Sequence, residues 1–306
     1  MYPNGSESNF KNHLIAIVIA IVSCIAVLGV MNFLGLTAKQ QHAQEEALQI
    51  GDGLTVHFID VGQGDSILLT CGGKAMLIDG GGERAGDTVV RYLQKQNVQR
   101  LDVLVSTHPH RDHVGGLAAV VRNYPIGTVY SPVTESDNPY FQAFEKACAD
   151  AKLKLTVPKA DKSFSLGEAK VTVLGPRGDT AAQENSNNIS IVLRVDYKDR
   201  SFLFLGDAEY DEETAILDAK CIVDVDVIKA GHHGSEDSTG SRLLTEATPE
   251  FCVISCGKGN DYGHPHDNLL SRLRDADVTV YRTDEQGSVV CITDGKAIRF
   301  VTEKDA

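Results

Sequence analysis

Positive charge is scarce in this 306-residue sequence: 29 lysines and arginines face 42 aspartates and glutamates, giving a net charge of −13. Broad, non-specific affinity for nucleic acid needs a basic footprint, and no basic stripe stands out, which argues against that function class. A phosphate substrate bound through metal ions is not excluded, because the charge of the ions dominates locally. Paired cysteine spacing is missing as well. Seven cysteines are scattered, with Cys252 and Cys256 four apart and Cys71, Cys148, Cys221 and Cys291 standing alone, so no zinc-finger framework is present. An odd count leaves at least one unpaired, and small core residues are the expected role of most. The chain shows no internal repeat and no low-complexity tract.

Charge is absent altogether from residues 14–36, a run dominated by Ile, Val, Leu and Ala. At about 1.5 Å per residue a helix of that length reaches ~34 Å, enough for a ~30 Å hydrocarbon core. The run is apolar all round and follows a short polar tail, which favours a membrane span over a buried core helix. It exceeds the usual signal-peptide core, and no A-x-A site follows, so an uncleaved anchor is expected. An alternative is lipidation, because Ile21-Val22-Ser23-Cys24 resembles a lipoprotein cleavage site. The flanks carry few charges and orient the span weakly. The default arrangement is a single-pass membrane protein with a cytoplasmic tail over 1–36 together with the anchor. A polar stalk over 37–52 and an extracytoplasmic domain over 53–306 follow.

Beyond residue 53 short apolar runs alternate with glycine-rich turns. Strands are expected at 55–61, 66–70, 75–78, 101–107, 128–130, 153–157, 170–174, 189–196, 201–205, 225–229, 251–255, 278–281, 288–293 and 297–301. Helices are expected at 88–96, 114–121, 140–151, 208–217, 241–247 and 269–276. Interleaved strands and helices imply an α/β domain with sheets covered by helices.

Seven of the ten histidines fall in three tight groups: His108, His110 and His113; His232 and His233; His264 and His266. Each group follows a strand, where α/β folds place their chemistry. Pro109 disfavours a helical conformation at His108, and in extended chain positions two apart point the same way. His108 and His110 can therefore aim at one ion, with Asp112 and His113 serving a second as the chain turns. Imidazole and carboxylate suit zinc or manganese. Asp60 and Asp79 are either partners that orient metal-bound histidines or, with Gln63 and Asp65, simply turn residues.

The pattern His108-x-His110-x-Asp112-His113 resembles the signature of the metallo-β-lactamase fold superfamily. FIDVGQGDSILL (58–69), LIDGG (77–81), NNISIVL (187–193), FLFLGDAE (202–209), VIKAGHHGS (227–235) and YGHPH (262–266) narrow the likeness. Together they resemble the C-terminal hydrolase domain of ComEC-type competence proteins, over about residues 53–301. The resemblance implies a four-layer αββα sandwich preceded here by one transmembrane helix. With one apolar run in place of that family's multi-helix channel, a relative of the hydrolase domain is expected, not a DNA channel.

The resemblance further implies two divalent ions, zinc or manganese, held by His108, His110, Asp112, His113, Asp207 and one of His232 and His233, with His233 favoured by analogy and the other facing substrate. Asp207 would bridge the ions; as a bland alternative it caps the next helix. The ions lower the pKa of bound water and make hydroxide available for in-line attack on phosphorus. Asp112 would also orient the nucleophile, and His232 or His264 would protonate the leaving group or contact phosphate. His266 is expected to cap the following helix. A departure from the family lies at Asn187-Asn188-Ile189-Ser190, where many members place another histidine; the ion at His108 and His110 would then have fewer protein ligands. The implied activity is that of a membrane-anchored phosphodiesterase or nuclease, with DNA as candidate substrate. The alternatives are a phosphodiesterase for phosphocholine-type polymers or cyclic nucleotides, and a non-catalytic binding protein that keeps the fold. No protein partner can be inferred.

Overall fold

In the computed structural model, which describes residues 53–178, 180 and 183–305, short strands pair into two mixed sheets. The expected anchor, lipidation site and stalk lie outside the described residues. Among the described residues no helix is long and apolar enough to cross a membrane.

The first sheet contains β1 (Leu54–Phe58), β2 (Ile67–Cys71), β3 (Lys74–Ile78), β4 (Leu101–Val105), β5 (Ile126–Tyr130) and β6 (Leu155–Thr156). The second contains β7 (Ser163–Leu166), β8 (Ala169–Gly175), β9 (Val192–Tyr197), β10 (Arg200–Phe204), β11 (Val227–Lys229), β12 (Phe251–Ile254) and β13 (Thr279–Arg282). The chain then returns to the first sheet with β14 (Val289–Thr293) and β15 (Ile298–Thr302). Strand order is β15-β14-β1-β2-β3-β4-β5-β6 in one sheet and β13-β12-β11-β10-β9-β8-β7 in the other.

Side chains alternate along each strand, and the alternation builds the layers. Ile67, Leu69, Met76, Ile78, Val103 and Val105 meet Leu193, Val195, Phe202, Phe204 and Val253 in one cluster shared by the two sheets. Their neighbours Leu68, Leu77 and Leu104 face the opposite way, toward helices Gly86–Lys95, Leu117–Asn123 and Pro139–Asp150. Leu203, Ile228, Cys252 and Ile254 pack outward against helices Tyr210–Asp218, Ser241–Ala247 and Asp267–Asp275. Each fully buried Leu or Phe is worth about 1.5–3 kcal/mol of transfer free energy, and a one-residue slip would exchange the inter-sheet and helix-facing sets and spoil the packing of both. The six described cysteines carry no disulfide, and all but the partly exposed Cys221 are buried.

Local chemistry explains where elements differ from expectation. The first strand stops at Phe58 instead of residue 61, because Asp60 accepts a hydrogen bond from the Gly62 N–H and turns the chain. The single helix expected over 114–121 is two short ones, Arg111–Val114 and Leu117–Asn123, interrupted at Gly115-Gly116. The strand expected from residue 189 begins only at Val192, because Ser186–Ile189 form a 3-10 turn. The alternating Ser163–Leu166 edge strand was not anticipated at all. By contrast, helix Pro139–Asp150 starts where Pro at its first turn and Asn138 dictate, the Asn138 side chain accepting from Tyr140 N–H at 2.9 Å.

Strands β3, β4 and β5 run parallel, as do β10, β11, β12 and β13. The chain leaves β3 at Asp79, β4 at 106–113, β10 at Asp207, β11 at His232 and His233, and β12 at 255–266. Chemistry-bearing residues are thereby collected at the carboxyl ends of parallel strands in both sheets.

Candidate metal centre

Each imidazole is aimed by an outer partner. His113 Nδ1 lies 2.8 Å from Asp79 Oδ2, and Asp79 also accepts from the Thr107 N–H at 2.8 Å and the Thr107 hydroxyl at 2.6 Å. His233 Nδ1 donates to the Ser255 carbonyl at 3.1 Å and lies 3.3 Å from Asp65 Oδ1. Acceptors on both Nδ1 atoms leave the Nε2 lone pairs facing inward, and these two nitrogens are 3.1 Å apart. Two lone pairs at that separation require a cation or a proton between them.

Asp207 adds a further electron-pair donor beside these nitrogens. Its Oδ2 lies 3.1 Å from His113 Nε2, 3.4 Å from His233 Nε2 and 3.7 Å from His108 Nε2, while Oδ1 accepts no hydrogen bond among the described residues. Asp112 Oδ2 is 3.2 Å from His233 Nε2, and His110 Nδ1 is 3.0 Å from His108 Nε2. Two nitrogens at 2.0–2.1 Å from one tetrahedral zinc would lie roughly 3.3 Å apart, so these spacings fit shared ions. Ligating atoms gather as His108, His113 and Asp207; as Asp112, His113 and His233; and as Asp65, Asp207 and His233. The donor set of imidazoles and carboxylates thus fits a binuclear metal site.

Electrostatics agree. Against burial, which disfavours imidazolium, Asp207 and Asp79 hold the His113 pKa well above the usual histidine value. Asp207, with Asp112 and Asp65, does the same to His233. Against burial, His113 and His233 keep Asp207 far below the ordinary carboxylate range, and His233 and His113 lower Asp112 likewise. Burial, reinforced by His113, holds His108 neutral, and burial lowers His110. The centre is a buried cluster whose carboxylates demand positive charge beside them.

Backbone conformation sets the two remaining histidines. His232 (φ 45°) and His233 (φ 53°) are both left-handed inside the turn Gly231–Gly234, a conformation that costs about 1–2 kcal/mol per residue. It buries His233 and turns His232 to the rim, with Nδ1 3.2 Å from Glu209 Oε1 and Nε2 3.9 Å from Asp207 Oδ2. His264 packs beside them, its ring 5.5 Å from that of His232 and 6.3 Å from that of His233. Burial, with His233 close by, pushes the His264 pKa down to about 4.

The structure also places residues that sequence reasoning passed over. Asp65, read only as a turn residue, is buried against Lys229 Nζ at 3.0 Å. Ser186 Oγ lies 2.6 Å from His110 Nε2, and Ser190 Oγ lies 3.4 Å from His108 Nδ1 while accepting from the Asp207 N–H. These hydroxyls stand in the segment that lacks the family's extra histidine. Asn185 and Asn187 donate to the two oxygens of Glu209. Asp60 belongs to its turn and makes no contact with the centre among its hydrogen bonds. His266 occupies the expected cap position, but its ring makes no cap bond; Nδ1 accepts from the Glu236 N–H and Nε2 donates to the Tyr262 carbonyl.

Comparison with known proteins agrees with this geometry. The sequence profile of the metallo-beta-lactamase superfamily matches residues 59–258. ComE operon protein 3 of Bacillus subtilis is 28% identical over 252 residues, covering 76% of this chain and 32% of that protein. Competence protein ComA of Neisseria gonorrhoeae is 30% identical over 232 residues, 75% of this chain and 31% of that one. The chain spans about a third of the length of these relatives. The metallo-beta-lactamase fold protein YhfI from Bacillus subtilis superposes with a TM-score of 0.55 at 15% identity, over 79% of this chain and 100% of that one.

Proposed function

The chain belongs to the metallo-β-lactamase superfamily, and from that premise we propose that it is a metal-dependent phosphodiesterase, with nucleic acid as its substrate class. The observation that carries this reading is Asp207, one buried carboxylate whose Oδ2 faces three imidazole nitrogens while Oδ1 accepts no hydrogen bond among the described residues. In this reading His108 and His110 hold one ion, Asp112, His113 and His233 hold the other, and Asp207 serves both.

Two divalent ions, when bound, supply Lewis acidity, lower the pKa of water toward neutrality and steady charge on phosphoryl oxygens. The chain's own residues do the rest. Asp79 and the Ser255 carbonyl fix the tautomers of His113 and His233. Asp112 orients the attacking group. His232 and His264, at the rim, contact the phosphate or give a proton to the departing oxygen.

The relatives named for competence favour a nucleic-acid substrate. The net charge of −13 favours a shorter phosphodiester, such as a cyclic nucleotide or a phosphocholine-bearing polymer, over long DNA. The test is the full chain with manganese or zinc, presented with single-stranded DNA beside a generic aryl phosphodiester. Metal-dependent cleavage of both supports the reading, cleavage of the aryl ester alone transfers it to the shorter class, and cleavage of neither removes it. The uncharged run over 14–36 supports a membrane tether with the hydrolase domain outside the cytoplasm; protection of the domain from protease added to intact cells would contradict that side.

A further inference from the structure

Tyr262 stands 61% exposed on the loop after β12, one of few large apolar side chains left in solvent. Its ring lies on that of His264, with centroids 5.7 Å apart and planes within 24°. His264 in turn packs its ring against those of His232 and His233. The exposed tyrosine is therefore one ring removed from the metal centre.

The loop that presents it is held on several sides. Asn260 Oδ1 accepts from the Tyr262 N–H at 3.1 Å and the His264 N–H at 3.0 Å, while Asn260 Nδ2 donates to the carbonyls of Gly257 and His264. His266 Nε2 donates to the Tyr262 carbonyl at 3.1 Å. Gln63 Oε1 accepts from the Gly257 N–H at 3.0 Å, tying the loop to the first hairpin. An aromatic ring ordered in advance at the mouth of a site loses little further entropy when a second ring docks on it. His264 Nδ1 is buried without a hydrogen-bond partner among the described residues. Lys258 is exposed on the same loop.

We propose that Tyr262, backed by His264, is a stacking platform for the nucleobase adjoining the scissile phosphate. The inference rests on the phosphodiesterase reading and adds a requirement to it. Stacking needs an open base face, so the platform selects single-stranded or frayed substrate over intact duplex. Aromatic platforms recognise bases with little regard to sequence, and they give affinity without a basic surface, which this acidic chain lacks.

The sequence has no tryptophan, so Tyr262→Trp in the full, metal-loaded chain places a single indole reporter on the platform. Titration with a short phosphorothioate oligothymidylate is expected to quench it, and an abasic oligomer of equal charge is not. In cleavage of oligothymidylate, Tyr262→Ala is expected to raise KM by roughly 5- to 150-fold, the strength of one base–aromatic stack, with kcat within about two-fold. Tyr262→Phe keeps the ring and restores KM. Equal quenching by both oligomers, no quenching by either, or an unchanged KM in Tyr262→Ala would overturn the platform. If the wild type cleaves DNA and Tyr262→Ala has the same KM, the platform falls and the phosphodiesterase stands. If base-dependent quenching occurs without any cleavage, the platform stands as a binding site and the hydrolytic reading falls.

Discussion

Asp79 holds His113 by Nδ1 across 2.8 Å, and that one contact decides which nitrogen His113 turns toward Asp207. Asp79 is itself fully buried and left-handed (φ 58°), and burial pushes its carboxyl up despite the donors from His113 and Thr107. Removing the acceptor frees the ring to rotate or change tautomer. Asp79→Ala is expected to weaken metal binding by about 10- to 100-fold, measured by competition with a chromophoric chelator. Asp79→Asn, which keeps an acceptor oxygen, should lose less. Unchanged affinity in Asp79→Ala would show that packing alone orients His113.

Asp207→Ala leaves His113 and His233 with no carboxylate between their inward nitrogens and the His108 side. The expected result is fewer ions per chain by elemental analysis and a loss in kcat of at least 10²–10³-fold, with circular dichroism unchanged. Retained stoichiometry and activity would assign Asp207 to the helix start alone.

Gly64 tests how the first hairpin supports the centre. Its φ is +135°, and a Cβ there would meet the Asp112 carbonyl oxygen at 2.2 Å, where Asp65 N–H already donates. Gly64→Ala should therefore cost on the order of 1–3 kcal/mol and displace Asp112. Gly62, with positive φ but nothing within 4 Å of its Cβ, should cost only about 1–2 kcal/mol on the same substitution. Urea unfolding of the two variants gives the comparison.

His57 sits outside all three histidine groups, buried on β1 with Nδ1 3.1 Å from the Tyr92 hydroxyl. Burial lowers its pKa from 6.5 to about 4. Between those values the unfolded chain binds a proton that the folded chain refuses, so stability falls as pH drops through that window. The contribution is about 3 kcal/mol. His57→Gln should flatten the pH 4–6.5 segment of the stability curve relative to wild type in chemical denaturation; parallel curves would contradict the assignment.

Much of the cluster was legible in the sequence because its histidines and aspartates sit on short local patterns. Pro109 between His108 and His110 marks an extended turn after a buried strand, and the structure brings Nε2 of one to 3.0 Å from Nδ1 of the other. What escaped reading depends on strands distant in sequence. Asp65, just before β2 of the first sheet, meets Lys229 on β11 of the second, and neither residue signals the other in sequence. Nothing in the sequence marks Ser186, or Ser190 within an expected strand, for this site, yet their hydroxyls face His110 and His108. Element ends moved for backbone reasons invisible to periodicity, such as the Asp60 turn that cuts β1 short at Phe58. The Ser163–Leu166 edge strand has one fully buried side chain, Leu166, so its apolar signal was too thin to read.

The central claim is a two-ion hydrolytic centre spanning both sheets. Its most direct test is metal content per chain, measured on the purified 306-residue chain alongside phosphodiester turnover as a chelator is titrated in. The account predicts two divalent ions per chain, and turnover that disappears with them and returns on addition of manganese or zinc. A protein that binds no ion, or one whose turnover persists after both ions are removed, would contradict it.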